Sequence, residues 1–365
     1  MSNNIDVKVS VIIPIYNAFD YLQPALDSVI AQTLKEIEII CIDDGSIDKS
    51  FELLKEYQKK DDRIRIVTEA NAGPALARNN GIKRARGEYL AFLDADDFYE
   101  KDFLEELYCA ATAENLDIAI GEYDIYNTHK ARFESPVLPD HSEIFDGYNV
   151  TSKNEHPDKI LSSTTGSAWN KLFRRSFVES KQLSFPEDVR MYEDVYFTVT
   201  ALSFAERVGR VPKVLMHHRV HNEQARVKNF SKYYSQIPAV YGRIKDFLVN
   251  RGMYAPLLRS YLNLSASRCY KVFNLLSKDS KENFWNLLHD EYSECLGWQE
   301  RNAVDFENDD VYKFVLYTQL YSYKEYKKRL CADGSLKVGN VDVEIAKKRK
   351  RIRKFFAKIF KRKKK

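Results

Sequence analysis

Two acidic runs in this chain could do chemistry together: Asp43-Asp44-Gly45-Ser46 and Asp94-Ala95-Asp96-Asp97. Each directly follows an apolar run, Ile37 to Ile42 and Glu88 to Leu93. Carboxylates crowded in this way repel one another unless a cation or a ligand's hydrogen-bond donors balance them. Hard divalent cations such as Mg²⁺ or Mn²⁺ suit the task. They take carboxylate and phosphate oxygens, commonly through one or two protein carboxylates plus the phosphates of a ligand. The plainer alternative, that Asp96 or Asp97 caps a helix beginning near Lys101, accounts for one aspartate and leaves the others unexplained. Between the runs lies Asn71-Ala72-Gly73-Pro74. Its Gly permits close backbone approach, its Pro suits a first helical position, and a helix N-terminus there would face a phosphate.

The elements that must hold these residues alternate. Val9 to Ile15, Ile37 to Ile42, Arg63 to Val67 and Glu88 to Leu93 read as strands. Tyr21 to Thr33, Asp48 to Lys60 and Pro74 to Arg86 read as helices. That rhythm predicts βαβ units, a mostly parallel sheet flanked by helices, and ligands at the carboxyl ends of the strands. A less regular region follows, with a strand near Asp117 to Ile120, a polar loop from Thr128 to Pro157, a helix from about Glu193 to Ala205 and a strand from Arg210 to His218. From about Tyr233 to Leu330 the chain reads as helical and Tyr-rich.

The 365 residues allow more than one domain. No run of about 18 apolar residues is present to span a membrane, and Met1 to Lys8 shows no secretory pattern. Five scattered cysteines without a CxxC pair favour reduced thiols, and with them a cytoplasmic setting, over a zinc site or disulfides. Residues 347–365 hold thirteen Lys or Arg and no acid, so removing them from the net +4 leaves a body of −9. Within that tail Ile352, Phe355, Phe356, Ile359 and Phe360 fall on one stripe of a helix. A basic helix with an aromatic stripe fits an interfacial anchor on anionic lipid better than a nucleic-acid contact or a solvated tail, neither of which needs the stripe.

The ordered set Val9-Ser10-Val11-Ile12-Ile13-Pro14-Ile15-Tyr16-Asn17, Asp43-Asp44-Gly45-Ser46, Asn71-Ala72-Gly73 with Ala77-Arg78-Asn79, and Phe92-Leu93-Asp94-Ala95-Asp96-Asp97 resembles the successive signatures of family 2 glycosyltransferases. The resemblance is strong over residues 8–100, fair to about 220 and absent beyond. It implies a GT-A (Rossmann-like) fold, a UDP-sugar donor, a divalent cation (Mn²⁺ or Mg²⁺) at the aspartate motif, and inversion at the anomeric carbon. Carried over by position, Pro14, Tyr16, Asn17, Asp43, Asp44, Asn71, Gly73, Arg78, Asp94 and Ala95 would line the nucleotide-sugar site, with Tyr16 against the base and Asp44 accepting from the uracil N3–H. Asp96 or Asp97 would bind the metal. Glu193-Asp194 resembles the family's Glu-Asp motif and would supply the base, Asp194, with Glu193 beside it; the same two acids would also stabilise a helix N-terminus. His217, or its neighbour His218, would complete the metal shell or bind diphosphate, with Arg219 neutralising phosphate charge. Trp169 would contact sugar or acceptor, or serve as core.

The expected organisation is a GT-A domain over residues 1–225 (donor half 1–115, acceptor half 116–225), a helical extension over 226–335 that could pair two copies, and a linker with the basic helix over 336–365. The expected function is metal-dependent transfer of one sugar from a UDP-sugar to a lipid-linked glycan in bacterial surface polysaccharide or lipopolysaccharide synthesis, on the inner face of the cell membrane. A sugar-nucleotidyltransferase would instead carry a Gly-rich basic loop where Pro14-Ile15-Tyr16-Asn17 stands. A non-catalytic nucleotide-sugar-binding module remains the other alternative.

Overall fold

A computed structural model of the protein describes residues 6–136, 142–145, 150–220 and 232–333. The chain forms two compact units, Met1–Ser265 and Ala266–Lys365.

The first unit is built on one ten-stranded sheet. Its donor half pairs β1 (Val9–Ile15), β2 (Ile37–Asp43), β3 (Ile64–Thr68) and β4 (Tyr89–Phe92) in parallel, in the order β3-β2-β1-β4. Strands β1 and β2 are near-continuous Val/Ile runs because helices cover both faces of a parallel sheet. Pro14 sits in this central strand without breaking a ladder. The carbonyl of Ile12 accepts from Leu93 on the β4 side, β4 ends at Phe92, and the donor that Pro14 lacks faces that same side past the last bond.

Helices α1 (Phe19–Ile30), α2 (Ser50–Gln58) and α3 (Pro74–Arg84) make the crossovers. Leu22, Ala25, Leu26 and Val29 form the buried stripe of α1, at the spacing of one helical face. α3 lies unusually close to β1: a Cβ on Gly81 would meet Ile12 Cγ2 at 2.3 Å, so only glycine allows that approach. At the opposite end of the sheet Glu38 is buried at the start of β2. It accepts from Ser10 Oγ at 2.7 Å and Arg86 N at 2.6 Å, and pairs with Arg65 at 2.9 Å.

β5 (Phe98–Tyr99) and α4 (Phe103–Ala113) lead into the other half of the sheet. There β9 (Lys171–Arg174) runs antiparallel between β4 and β6 (Ile118–Asn127), and β6 is parallel to β10 (Val208–Val220). β7 (Arg132–Glu134) and β8 (Val150–Thr151) are short partners of β6 and β10. α5 (Arg175–Ser180) and α6 (Glu193–Phe204) complete this half. The first unit continues past residue 225 because α7 (Gln236–Asn250) packs on α6, with Phe247 edge-on to Tyr196 and Phe204. The division between the units falls within α8 (Leu258–Leu275).

The second unit is helical among its described residues. α9 (Lys278–Leu287), α10 (Asp309–Leu320) and α11 (Tyr323–Asp333) meet around an aromatic cluster in which Trp285 stacks on Tyr326 at 4.1 Å and Phe273 packs on Phe314. The Tyr-rich composition of this stretch is therefore core-forming. No described helix is long and apolar enough to cross a membrane. The apolar stripe Ile352, Phe355, Phe356, Ile359 and Phe360 lies outside the described residues.

Candidate active site

The carboxyl ends of β1, β2 and β4 bring the expected donor residues to one edge of the sheet. Tyr16, 50% exposed, leads the turn after β1. Asn17 takes a left-handed conformation (φ 49°), which Asn tolerates better than most residues. It also ties two loops together, its Oδ1 accepting from Ile47 N at 2.9 Å and its N–H donating to Ser46 Oγ at 3.1 Å. Asp43 accepts from Ser46 N at 3.3 Å. Asp44 is buried and uses both oxygens on the backbone, accepting from Ala72 N at 2.7 Å and Gly73 N at 2.8 Å. The carboxylate after β2 thus fixes the loop that starts α3, where Gly73 (φ 99°) precedes Pro74. Each of its oxygens keeps a second lone pair for a ligand donor. Asn71, at the tip of that loop, is exposed.

One helical turn further, Arg78 spans the two acidic regions. Its Nη2 donates to Asp94 at 2.6 Å and its Nη1 to Glu193 at 2.7 Å. Burial works against this guanidinium's charge, but Asp94, Glu193 and Asp194 together raise its pKa further above its ordinary value. Its Nε is buried without a partner, so all of the guanidinium's paired hydrogen bonds go to carboxylates. Glu193 and Asp194 open α6 behind Tyr192, which is held left-handed at φ 68°, a strained choice for an aromatic residue. Burial and then the neighbouring Glu193 push the Asp194 carboxyl up to about 7, with Asp94 adding to the rise and Arg78 opposing it.

The three aspartates after β4 separate in role. Asp94 is partly exposed and held by Arg78. Ala95 is buried and Asp96 is partly exposed. Asp97 is fully buried, accepting from Arg219 N at 2.7 Å and facing His218 Nδ1 at 3.1 Å. Burial lifts Asp97 to about 6, against the pull of His218, and His218 in turn rises to about 9 because Asp97 outweighs its own burial. The pair is a carboxylate–imidazolium contact with Trp169 stacked on the imidazole at 5.5 Å.

This placement corrects the expectation for His217. Successive strand residues point to opposite faces, and His217 faces away from Asp97. Its Nδ1 lies 2.6 Å from Asp124 and its Nε2 2.9 Å from Glu100, between the rings of Phe98 and Phe133. Both ring nitrogens are taken, so it is His218 that stands at the aspartate run. Trp169 is likewise buried against Tyr123 and His218 and offers no open face to a sugar.

The site therefore pairs a loop and helix N-terminus suited to a diphosphate with a carboxylate poised near neutrality, and Arg78 of that helix bonds Glu193 beside it. Residues 10–180 match the family described as Glycosyl transferase family 2. EpsH of Bacillus subtilis (strain 168) is 34% identical over 72% of this chain and 76% of its own length. The chain belongs to glycosyl transferase family 2. It is also similar to the glycosyltransferase GlyA of Streptococcus pneumoniae serotype 4, 35% identical over 59% of this chain, although that stretch spans only 31% of GlyA. Among solved structures, S. aureus TarS 1–349 in complex with UDP superposes with a TM-score of 0.69 at 20% identity, covering 90% of this chain and 92% of that one. The architecture is thus the GT-A fold of family 2 glycosyltransferases.

Two residues of this family 2 domain support the site in ways the sequence did not show, Asn79 of the signature through its contacts and Lys171 altogether. Asn79 donates to the carbonyl of Phe185 at 2.9 Å and accepts from its N–H at 2.9 Å, bracing the segment that leads to Glu193. Lys171, fully buried in β9, gave no signal because lysine is normally a surface residue.

Proposed function

We propose that the protein transfers one sugar from a UDP-sugar to a hydroxyl of a glycan or glycolipid acceptor with inversion, Asp194 being the base. The observation that carries this reading is the Arg78 bridge from Asp94 to Glu193, which joins the donor edge of the sheet to the helix bearing Asp194. In the proposed reaction Asp194 takes the proton of the acceptor hydroxyl as its oxygen bonds to the anomeric carbon, and the bond from that carbon to the UDP oxygen breaks on the opposite face. Tyr16 offers an exposed ring for the base, and the Asn71–Gly73 loop presents the N-terminus of α3 to the diphosphate. TarS was solved with UDP and with UDP-GlcNAc, which favours a uridine donor here.

Family 2 enzymes generally work with a divalent cation. Among the described residues no group of three or more His, Cys, Asp or Glu forms a ready cage. That donor set still fits Mg²⁺ or Mn²⁺, which need few protein carboxylates when phosphates complete the shell. Asp96 is the residue assigned to hold it, since Asp97 is buried against His218 and Arg219. Once bound, the cation supplies positive charge against the leaving diphosphate.

A panel of UDP-sugars, scored by thermal shift and UDP release, tests the reading. One donor should stabilise the protein and release UDP with Mn²⁺ or Mg²⁺ present, and EDTA should abolish both effects. Stabilisation by no UDP-sugar would refute the donor assignment.

The basic tail of residues 347–365, with its stripe of Ile and Phe, favours a membrane-linked acceptor at the inner face of the cell membrane. Deleting 347–365 should release the protein from phosphatidylserine vesicles in co-sedimentation while leaving UDP binding intact. Undiminished vesicle binding would remove the anchor from this proposal.

A further inference from the structure

Lys171 is fully buried in the acceptor half, yet its ammonium is saturated. It donates to the carbonyl of Thr165 at 3.0 Å, the carbonyl of Ser167 at 2.7 Å and Asn170 Oδ1 at 2.7 Å. Burial alone drives a lysine towards the neutral amine, and it pulls this one well below its ordinary value, with Asp194 acting in the opposite direction. A neutral amine has only two N–H bonds and a lone pair, and here the lone pair would point at an oxygen. Three acceptors and no donor around Nζ therefore select the ammonium.

The acceptors are not scattered. Thr165 and Ser167 flank Gly166, where a Cβ would meet Val195 Cγ2 at 2.8 Å. Val195 lies in the first turn of α6, and its N–H donates to Asp194 Oδ1 at 2.8 Å. Asn170 is itself locked, its side chain donating to the Gly121 carbonyl at 2.7 Å and its own carbonyl accepting from Gly121 N at 2.9 Å. Drawing in the carbonyls on both sides of Gly166 presses that loop onto the turn that carries the base. The charged groups coupled to Asp194 are Glu193 on its own helix, Arg78 on α3 and Asp94 after β4, together with Lys171 on β9, whose charged form Asp194 favours. Arg78 is already shared between Asp94 and Glu193, and so Lys171 is the cation not committed to another carboxylate by any of its three bonds.

We propose that the buried ammonium of Lys171 is a positioning residue for sugar transfer. It seats the 165–167 loop against the start of α6 and supplies the positive charge that favours ionised Asp194. The proposal rests on Asp194 being the base.

The test is the pH profile of kcat/KM for Lys171→Met beside wild type and Asp194→Asn, together with UDP-sugar affinity. Lys171→Met should move the acid limb up by about one pH unit, lower turnover at pH 7 about fivefold, and recover at higher pH. Its donor affinity should stay at the wild-type level. An acid limb unmoved in Lys171→Met, with Asp194→Asn inactive, overturns the role of Lys171 alone. An Asp194→Asn variant that still transfers overturns the base assignment and this proposal together.

Should Lys171→Met not fold, ¹⁵N-lysine-labelled wild-type protein decides the matter. A slowly exchanging ammonium signal that survives at pH 8, where exposed lysines exchange away, supports the proposal. Its absence, with a neutral-amine signal instead, refutes it.

Discussion

Arg78→Met is expected to cripple the enzyme and loosen the fold together. The substitution keeps most of the apolar length that packs over Phe185, where the guanidinium lies 5.4 Å from the ring. It removes the charge that Asp94 and Glu193 share. Breaking a buried ion pair from one side typically costs about 3–5 kcal/mol, because the remaining charge is left uncompensated. Here the residue left most buried is Glu193, with its side chain 8% exposed, so most of the loss falls on the first turn of α6. Urea denaturation should show a loss within that range. Turnover should fall beyond what unfolding explains, since Asp194 loses the guanidinium that opposes its protonation. Arg78→Lys should restore little of either, as a single ammonium lacks the planar fork that reaches two carboxylates at once. A stable and active Arg78→Met variant would show that the bridge is incidental.

The second large effect is on pH. With its carboxyl at about 7, Asp194 is half protonated at neutrality. A base must be ionised to accept a proton, so kcat/KM should rise through an acid limb near pH 7 and fall about tenfold for each unit below it. The contribution of the same group to stability runs the other way. Its folded pKa lies above the unfolded value of about 4, so between those values the folded state holds the extra proton. Stability from this residue is present at low pH and is lost as pH rises to about 7, the window in which activity appears. Measuring unfolding and turnover across pH 4–8 should give the two opposed trends. An acid limb near pH 4 would mean that Asp194 is solvated in the working enzyme.

Much of this architecture is legible in the residues themselves. The buried runs of β1 and β2, the Gly73-Pro74 start of α3 and the aspartates after β2 and β4 obey local rules, and each lies where those rules place it. Strand β6 extends to Asn127, well past Ile120, because it pairs with β10 as far as Val220, whereas Gly121, Glu122 and Asp124 are residue types with little preference for strands. The choice between His217 and His218 turned on strand parity. β10 carries register shifts between Val211 and Val214 and between Val214 and Met216, and each such irregularity can exchange the two faces. No pattern of residue types predicts where these fall. Lys171 was hidden for a different reason, since its burial depends on three acceptors brought together only by the folded 165–170 segment. Arg78 could be placed on its helix but not paired, because Glu193 is distant in sequence and meets it only through the sheet.

The most direct test of the account is UDP release from the preferred UDP-sugar by Asp194→Asn beside wild type, at saturating donor and at pH 8. Asn keeps the shape of Asp194 and cannot act as the base. The account predicts undiminished UDP-sugar binding, measured on the same samples, and turnover lowered by about 10²–10⁴-fold. An Asp194→Asn variant that binds donor and transfers at the wild-type rate would contradict it.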